Sequence, residues 1–340
     1  MKVGIFLATT SGKAKQDIMR SFAAGVKASG DLAKIFDKRE YRKCDLALIF
    51  GFYNDQNMGA IQSFRKKVYE THESRGRKCL FVDADFLRFA GKIRAEAPDD
   101  PTQHLRISHG SIFPSRANYF NEFSDNRRWK ELRRRKHIVV KDYRTDGDHI
   151  LMLLNSSSKY GRGWSARGTD SMYWLQKSLS EIRQYTDRPI RVRFHPNEKK
   201  DLRESRPVEA LQKMYGNITF SGGVVGSNKA ILPPRTLIED CDNAWAAVVH
   251  TTSASVIPII NGIPVFTSSR DCIAFPIATH RLSKIEKPSL PKREQWFYDL
   301  SYSLWNVEEL RDGVAWKRIK SRINSSGDYS KAKAKKLGII

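Results

Sequence analysis

Apolar residues gather along this chain in short unbroken runs. Longer stretches separate them, in which apolar residues recur every three or four positions. The runs are KVGIFLA (2–8), DLALIF (45–50) and KCLFV (78–82), then ILMLL (150–154), IRVRF (190–194), ITFS (218–221), AWAAVVH (244–250) and IPVF (263–266). Apolar runs without alternation read as strands buried on both faces, as in parallel sheets. Residues 16–29, 59–74, 169–185, 236–243 and 256–261 carry the helical period between them. Strand alternating with helix predicts sheets covered by helices on both faces. At 340 residues the chain exceeds one ordinary domain. The pattern divides it into an α/β domain over 1–145 and a second over 146–290. Helices over 291–324 are expected to pack across both, followed by a frayed basic tail, 325–340. Residues 88–126 show neither period and read as irregular. Residues 291–320 read as helical and carry Trp296, Phe297, Tyr298, Tyr302, Trp305 and Trp316. No internal repeat is present.

The stretch from 150 to 196 organises the second half. An apolar strand leads into a Ser-, Gly-, Lys- and Arg-rich loop (155–168). A helix with Met172, Leu175, Leu179 and Ile182 on one face follows, and Thr186-Asp187-Arg188-Pro189 breaks it before the next strand. A right-handed crossover is the expected connection. The basic loop then lies at the carboxyl end of a strand and before a helix N-terminus, a position suited to phosphates.

Charge changes the picture most. The formal net charge is +23, and so large a positive balance favours polyanionic partners: nucleic acid, an anionic membrane or an acidic polysaccharide. Cys44, Cys79, Cys241 and Cys272 stand far apart, so no zinc ribbon or disulfide framework is indicated and reduced thiols are expected. The amino terminus runs straight into a strand, too short and wrongly flanked for a signal peptide, and no run is long enough to cross a bilayer. A cytoplasmic location is expected. Thr9-Thr10-Ser11-Gly12-Lys13 lacks the full GxxxxGK[ST] pattern and reads as an ordinary turn.

Three features of the second half should meet at one sheet edge. They are the loop with Lys159, Arg162 and Gly163, the strand end Arg193-Phe194-His195-Pro196, and the hydroxyl-rich turn Thr251-Thr252-Ser253-Ala254-Ser255. Hydroxyls and unpaired N–H groups at a helix start bind phosphate oxygens, and Arg adds a charged fork. Lys159, Arg162, Gly163, Arg193, His195, Thr252, Ser253 and Ser255 are therefore the candidate ligand-binding residues. In the first half, Arg106, His109, Phe113, Arg116, Tyr119 and Phe120 mix cations with aromatics, and residues 127–141 (RRWKELRRRKHIVVK) are densely basic. Arg116, Arg127, Arg128, Arg133, Arg134, Arg135 and Lys136 are the candidate phosphate contacts for nucleic acid, against the plainer reading of a solvated helix face.

The RFHP strand end, the Ser/Thr turn and the following helix with NGIPVF resemble the nucleotide-binding half of GT-B glycosyltransferases, especially those related to capsule-polysaccharide transferases. GRGWSARG with WLQKSLSEIRQYTDRPIRVRFHP, and IEKPSLPKREQWFYDLSYSLWNVEELRDGVAWKRI, also resemble tailed-phage proteins regarded as glycosyltransferases. The similarity covers residues 145–320 and is weak over 1–140. His250-Thr251-Thr252-Ser253 departs from it, since a Tyr-Asn-Ser-like turn is expected there. The resemblance implies a GT-B-like fold of two doubly wound, Rossmann-like parallel-sheet domains with a cleft between them and a C-terminal helical segment. It implies a nucleotide sugar as donor, with a UDP-sugar foremost, and chemistry without a metal. Asp83-Ala84-Asp85 has the form of a metal-binding DxD but belongs to the first domain. For an inverting reaction the base would come from Asp83, Asp85, His109 or Glu122, with Asp85 preferred. Joined to the charge, the resemblance points to sugar transfer onto hydroxymethylated pyrimidines in double-stranded phage DNA. The alternatives are a surface-polysaccharide or lipid-linked-sugar transferase, and a non-catalytic DNA-binding protein on the same scaffold.

Overall fold

The apolar runs form the interiors of two sheets because they are flanked by helices whose apolar faces cover them. The structure, a computed structural model, describes residues 1–53, 55, 58–87, 104–155, 171–195, 206–222 and 236–323. The chain divides into two units. One is Met1–Lys136 together with the chain from Phe297 onward, and the other is His137–Trp296.

The first unit contains β1 (Lys2–Phe6), α1 (Lys13–Ala28), β2 (Leu32–Phe36), β3 (Leu46–Phe50), α2 (Ala60–Glu73), β4 (Lys78–Ala84), β5 (His104–His109) and α3 (Arg127–Arg135). Its six-stranded sheet has the order β11-β5-β4-β3-β1-β2, where β11 is Leu304–Asn306. Strands β2, β1, β3 and β4 are parallel, β5 is antiparallel to β4, and β11 is antiparallel to β5. Val3, Ile5, Leu48, Leu80, Val82, Leu105 and Ile107 pack with Phe22, Trp305 and Trp316 in one core.

Three strands escape the sequence pattern. β2 is an edge strand with Leu32 and Ile35 exposed, so it lacks the signature of a buried run. β5 lies in the segment expected to be irregular, its Leu105 and Ile107 buried between polar neighbours. β11 interrupts the tail expected to be helical. It is only three residues long, between the helix Glu294–Ser301 (α8) and the helix Val307–Arg311 (α9).

The second unit holds β6 (His149–Leu153), α4 (Ser171–Ile182), β7 (Ile190–Arg193), α5 (Arg206–Tyr215), β8 (Ile218–Ser221), α6 (Leu237–Cys241), β9 (Ala244–Val249), α7 (Val256–Ile260) and β10 (Val265–Phe266). The five strands are all parallel, in the order β10-β9-β6-β7-β8. Leu175, Leu179 and Ile182 of α4 pack on Ile150, Met152, Val192 and Val248. Gly262 ends α7 at φ +74°, and a Cβ there would stand 1.9 Å from the Asp142 carbonyl oxygen, which excludes any other residue. The chain ends, within the described residues, with the helix Val314–Ile323 (α10) in the first unit. All four cysteines are buried and unpaired. Among the described residues no helix is long and apolar enough to cross a membrane.

Candidate functional site

In the second unit the chain moves outward from β6 to β7 and β8, then returns to lay β9 and β10 on the other side of β6. The reversal lies between β6 and β9, and open α/β sheets take ligands beyond the carboxyl ends of the strands at such a point. Asn155 follows β6 and Thr251 follows β9. The Asn155 Nδ2 donates to the Thr251 hydroxyl at 2.8 Å, and the Ser171 hydroxyl, opening α4, donates to the Asn155 carbonyl at 2.9 Å. Thr252 is buried and its hydroxyl accepts the Ala254 N–H at 3.2 Å, capping the turn Ser253–Ser255 that enters α7. Ser253 is exposed beside it. Ser255 is fully buried and receives the Cys272 thiol at 3.6 Å, so it serves packing rather than a ligand.

His250 stands one residue before that turn. Both of its ring nitrogens are buried without a hydrogen-bond partner among the described residues. Its ring lies 5.8 Å from that of Trp174 on α4. Burial pushes its pKa down, with Asp271 acting the other way. The neutral ring then offers one donor and one acceptor. His195 is half-buried beyond the end of β7. Lys159, Arg162 and Gly163 lie outside the described residues.

Arg193 has a different setting from the one its sequence position implies. Alternation along β7 puts Arg191 and Arg193 on one face, where both meet Asp240 of α6. The Arg193 guanidinium bonds the Asp240 carboxylate directly, and Arg191 lies 3.9 Å from it. The Ser221 hydroxyl donates to the same carboxylate at 2.7 Å. Asp240 has no exposed surface. Thr236 and Glu239 form a capping box that fixes the start of α6. The charge of Arg193 is thus already matched by a buried carboxylate. Asp240 and Asn155 were not among the sequence candidates, and His250 was noted only as a departure from the expected turn; an Asp followed by Cys241 in a short polar helix carries no motif.

In the first unit the candidate acids are tied to cations. Asp83 bonds Arg106 across the β4–β5 pair, and Asp85 pairs with Lys136 at 2.9 Å while accepting the Leu87 N–H at 2.6 Å. Among the described residues, no three His, Cys, Asp or Glu side chains come together as a metal site. His109 does not join the two aspartates. Because β5 runs antiparallel, His109 sits opposite Leu80 near the start of β4, whereas Asp83 and Arg106 pair near its end. Burial, aided by Lys78, pushes the His109 pKa down to about 4. Glu122 is half-buried, and its carbonyl accepts from Arg322.

The basic helix α3 is only partly available to a polyanion. Trp129 and Leu132 are buried, and Trp129 stacks on Phe297 with centroids 4.5 Å apart. Arg128 bonds Glu309 and lies 4.1 Å over the Trp305 ring, so it anchors the helix. Arg127 pairs with Asp125, Arg135 with Glu131 and Lys136 with Asp85. Arg133 and Arg134 are exposed, as is Arg116, which lies over Phe113.

A scan against protein families and a search of curated proteins find no match. Solved structures do. KpsC beta Kdo 2,4 transferase of Thermosulfurimonas dismutans superposes with a TM-score of 0.51 at 11% identity, covering 88% of this chain and 90% of that one. The beta Kdo 2,7 transferase of the same organism's KpsC gives 0.49 at 13% identity, over 93% and 100% of the chains. The UDP-GlcNAc 2-epimerase of Methanocaldococcus jannaschii gives 0.33 at 12%, over 96% and 100%. At these identities the likeness is one of fold. The chain has a GT-B-like architecture of two parallel-sheet α/β domains.

Proposed function

We propose that this protein is a glycosyltransferase that binds a nucleotide sugar in its second unit and passes the sugar to a surface-glycan acceptor. The observation that carries this reading is the reversal of strand order, with the Asn155–Thr251 bridge, the Thr252-capped turn and the ring of His250, which has no partner among the described residues. The fold shared with a beta Kdo transferase supports the glycan acceptor. In this reading the turn at Thr252 and Ser253 supplies N–H and hydroxyl donors to the phosphate. His195 and His250 contact the nucleotide or sugar, and Lys159, Arg162 and Gly163 remain candidate ligands outside the described residues. Donors fixed in advance stabilise the charge that develops on the leaving nucleotide phosphate. The base for the acceptor hydroxyl is Asp83 or Asp85, and either must first part from Arg106 or Lys136.

Thermal unfolding with UDP, CMP, GDP and their sugars tests the proposal. One nucleotide family should stabilise the fold by about 2.7 kcal/mol at a hundredfold excess over its dissociation constant. A cooperative transition that no nucleotide shifts would remove the transferase reading.

One observation favours a second reading, in which the acceptor is hydroxymethylated double-stranded DNA, as in tailed phages: the net charge of +23 with Arg116, Arg133 and Arg134 exposed. It requires DNA binding that weakens steeply with salt and sugar incorporation into hydroxymethylated duplexes. Incorporation into an oligosaccharide alone decides for the glycan.

A further inference from the structure

The sheet of the first unit has its own reversal of strand order, between β1 and β3. Arg65 of α2 is set at the carboxyl ends of those strands and is 9% exposed. Its Nε donates to the Thr9 carbonyl at 2.8 Å, and Nη1 donates to the Phe52 carbonyl at 3.0 Å and to Gln62 Oε1 at 3.4 Å. All three acceptors are neutral, and Nη2 has no acceptor among the described residues. Buried guanidinium groups are ordinarily paired with a carboxylate, yet acids of the surrounding elements among the described residues bond other partners. Asp83, which acts on Arg65 through space, bonds Arg106, and Asp85 bonds Lys136. Asp55 pairs with Lys66, and Asp17 with Arg20. Among the described residues, Arg65 is therefore a buried cation with a spare Nη2 and no carboxylate bonded to it.

The surroundings are positive as well. α1 starts after Gly12 with no side-chain cap and no acidic residue in its first turn. That turn carries Lys13 and Lys15 instead, against the helix dipole, which favours anions at this end. The Lys15 ammonium lies 5.4 Å over the ring of Phe50, the last residue of β3. Gly51 follows at φ +70°, and a Cβ there would meet the Arg65 guanidinium carbon at 3.2 Å. Glycine lets the guanidinium lie against the backbone.

We propose that this site binds one anionic group, a carboxylate or a phosphate, with Arg65 as its central donor and Lys15 and the start of α1 beside it. The site itself stands on this geometry. Only the identity of its ligand, the acidic group of an acceptor glycan, rests on the transferase reading.

The test titrates the full chain, without nucleotide and at constant ionic strength, with glucuronate, inorganic phosphate and glucose, following thermal unfolding and binding heat. Glucuronate or phosphate should raise the midpoint saturably and glucose should not; the effective anion names the source. Arg65→Gln should abolish the response and Lys15→Gln weaken binding about tenfold. Lys27→Gln, at the far end of α1, should leave it intact. Equal responses to glucose, or responses unchanged in Arg65→Gln and Lys15→Gln, overturn the proposal. If Arg65→Gln does not fold, Lys15→Gln against Lys27→Gln decides. Nucleotide binding is measured on the same samples. Its absence would remove the transferase reading while leaving the anion result to stand.

Discussion

The Asn155 side chain donates to the Thr251 hydroxyl at 2.8 Å, tying together the two strands that flank the reversal of order in the second sheet. The same residue's carbonyl receives Ser171 from the start of α4. One residue therefore joins three elements, its side-chain amide linking the two strand ends and its backbone carbonyl the start of α4. Asn155→Ala should cost about 1 kcal/mol of stability, the usual value of a hydrogen bond. It should weaken nucleotide-sugar binding about tenfold by calorimetry. A stability loss with unchanged affinity would make the bridge structural only.

Asp240 answers to a different measurement. Its buried carboxylate holds Arg193, Arg191 and Ser221. Asp240→Ala strands two guanidinium groups, and urea unfolding should register a loss of about 3–5 kcal/mol. Arg193→Met is expected to cost less, since Ser221 and Arg191 still serve the carboxylate. The reverse ranking would mean that Arg193 is held chiefly by something other than Asp240.

His250 should separate folding from binding. Its ring nitrogens have no partner among the described residues, so His250→Phe removes no hydrogen bond and keeps a ring against Trp174. The unfolding midpoint should hold or rise, while nucleotide affinity falls about tenfold. A variant that loses stability and binds as before would show the imidazole to be a packing residue.

Two acid transitions are expected in the first unit. Burial pushes the pKa of His72, fully buried beside Cys44, down to about 4. The unfolded chain takes up its proton near pH 6.5, so stability is full above that value and declines as pH falls toward 4. Burial would raise the Asp31 carboxyl, but hydrogen bonds from Lys320, Trp316 and the α-amino group hold it at about 2. Its contribution is present above about pH 3.9 and is lost as pH falls through 2. Urea midpoints measured from pH 7 to below 2 should show both declines. His72→Gln should reduce the first, to which His109 also contributes, and Asp31→Asn should flatten the second. A midpoint constant between pH 7 and 5 would contradict the assignment to His72.

The strands with continuous apolar cores were legible from the run of apolar residues alone, because burial on both faces leaves no polar position to confuse the period. That covers β1, β3, β4, β6 and β9, and with them the two-sheet α/β architecture, while β7 was marked by Ile190 and Val192 alternating with Arg191 and Arg193. β2 and β11 were not legible: one is an exposed edge, and the other is too short for any period. The antiparallel turn of β5 mattered most for function. It carries His109 away from Asp83, and no local pattern encodes the direction of a strand. At the second unit's reversal, the hydroxyl turn and His195 were visible as motifs. Asn155 and Asp240 were not, since their roles depend on partners 96 and 47 positions away.

The last strand of the first sheet is made by residues that follow the whole second unit. During synthesis β5 therefore leaves the ribosome long before β11, and one edge of its sheet waits unpaired while residues 137–296 are made. Unpaired strand edges invite association between chains. The second unit, drawn from one continuous segment, has no such wait. A truncated product ending before Leu304 should therefore carry a finished second unit and a first unit prone to aggregate.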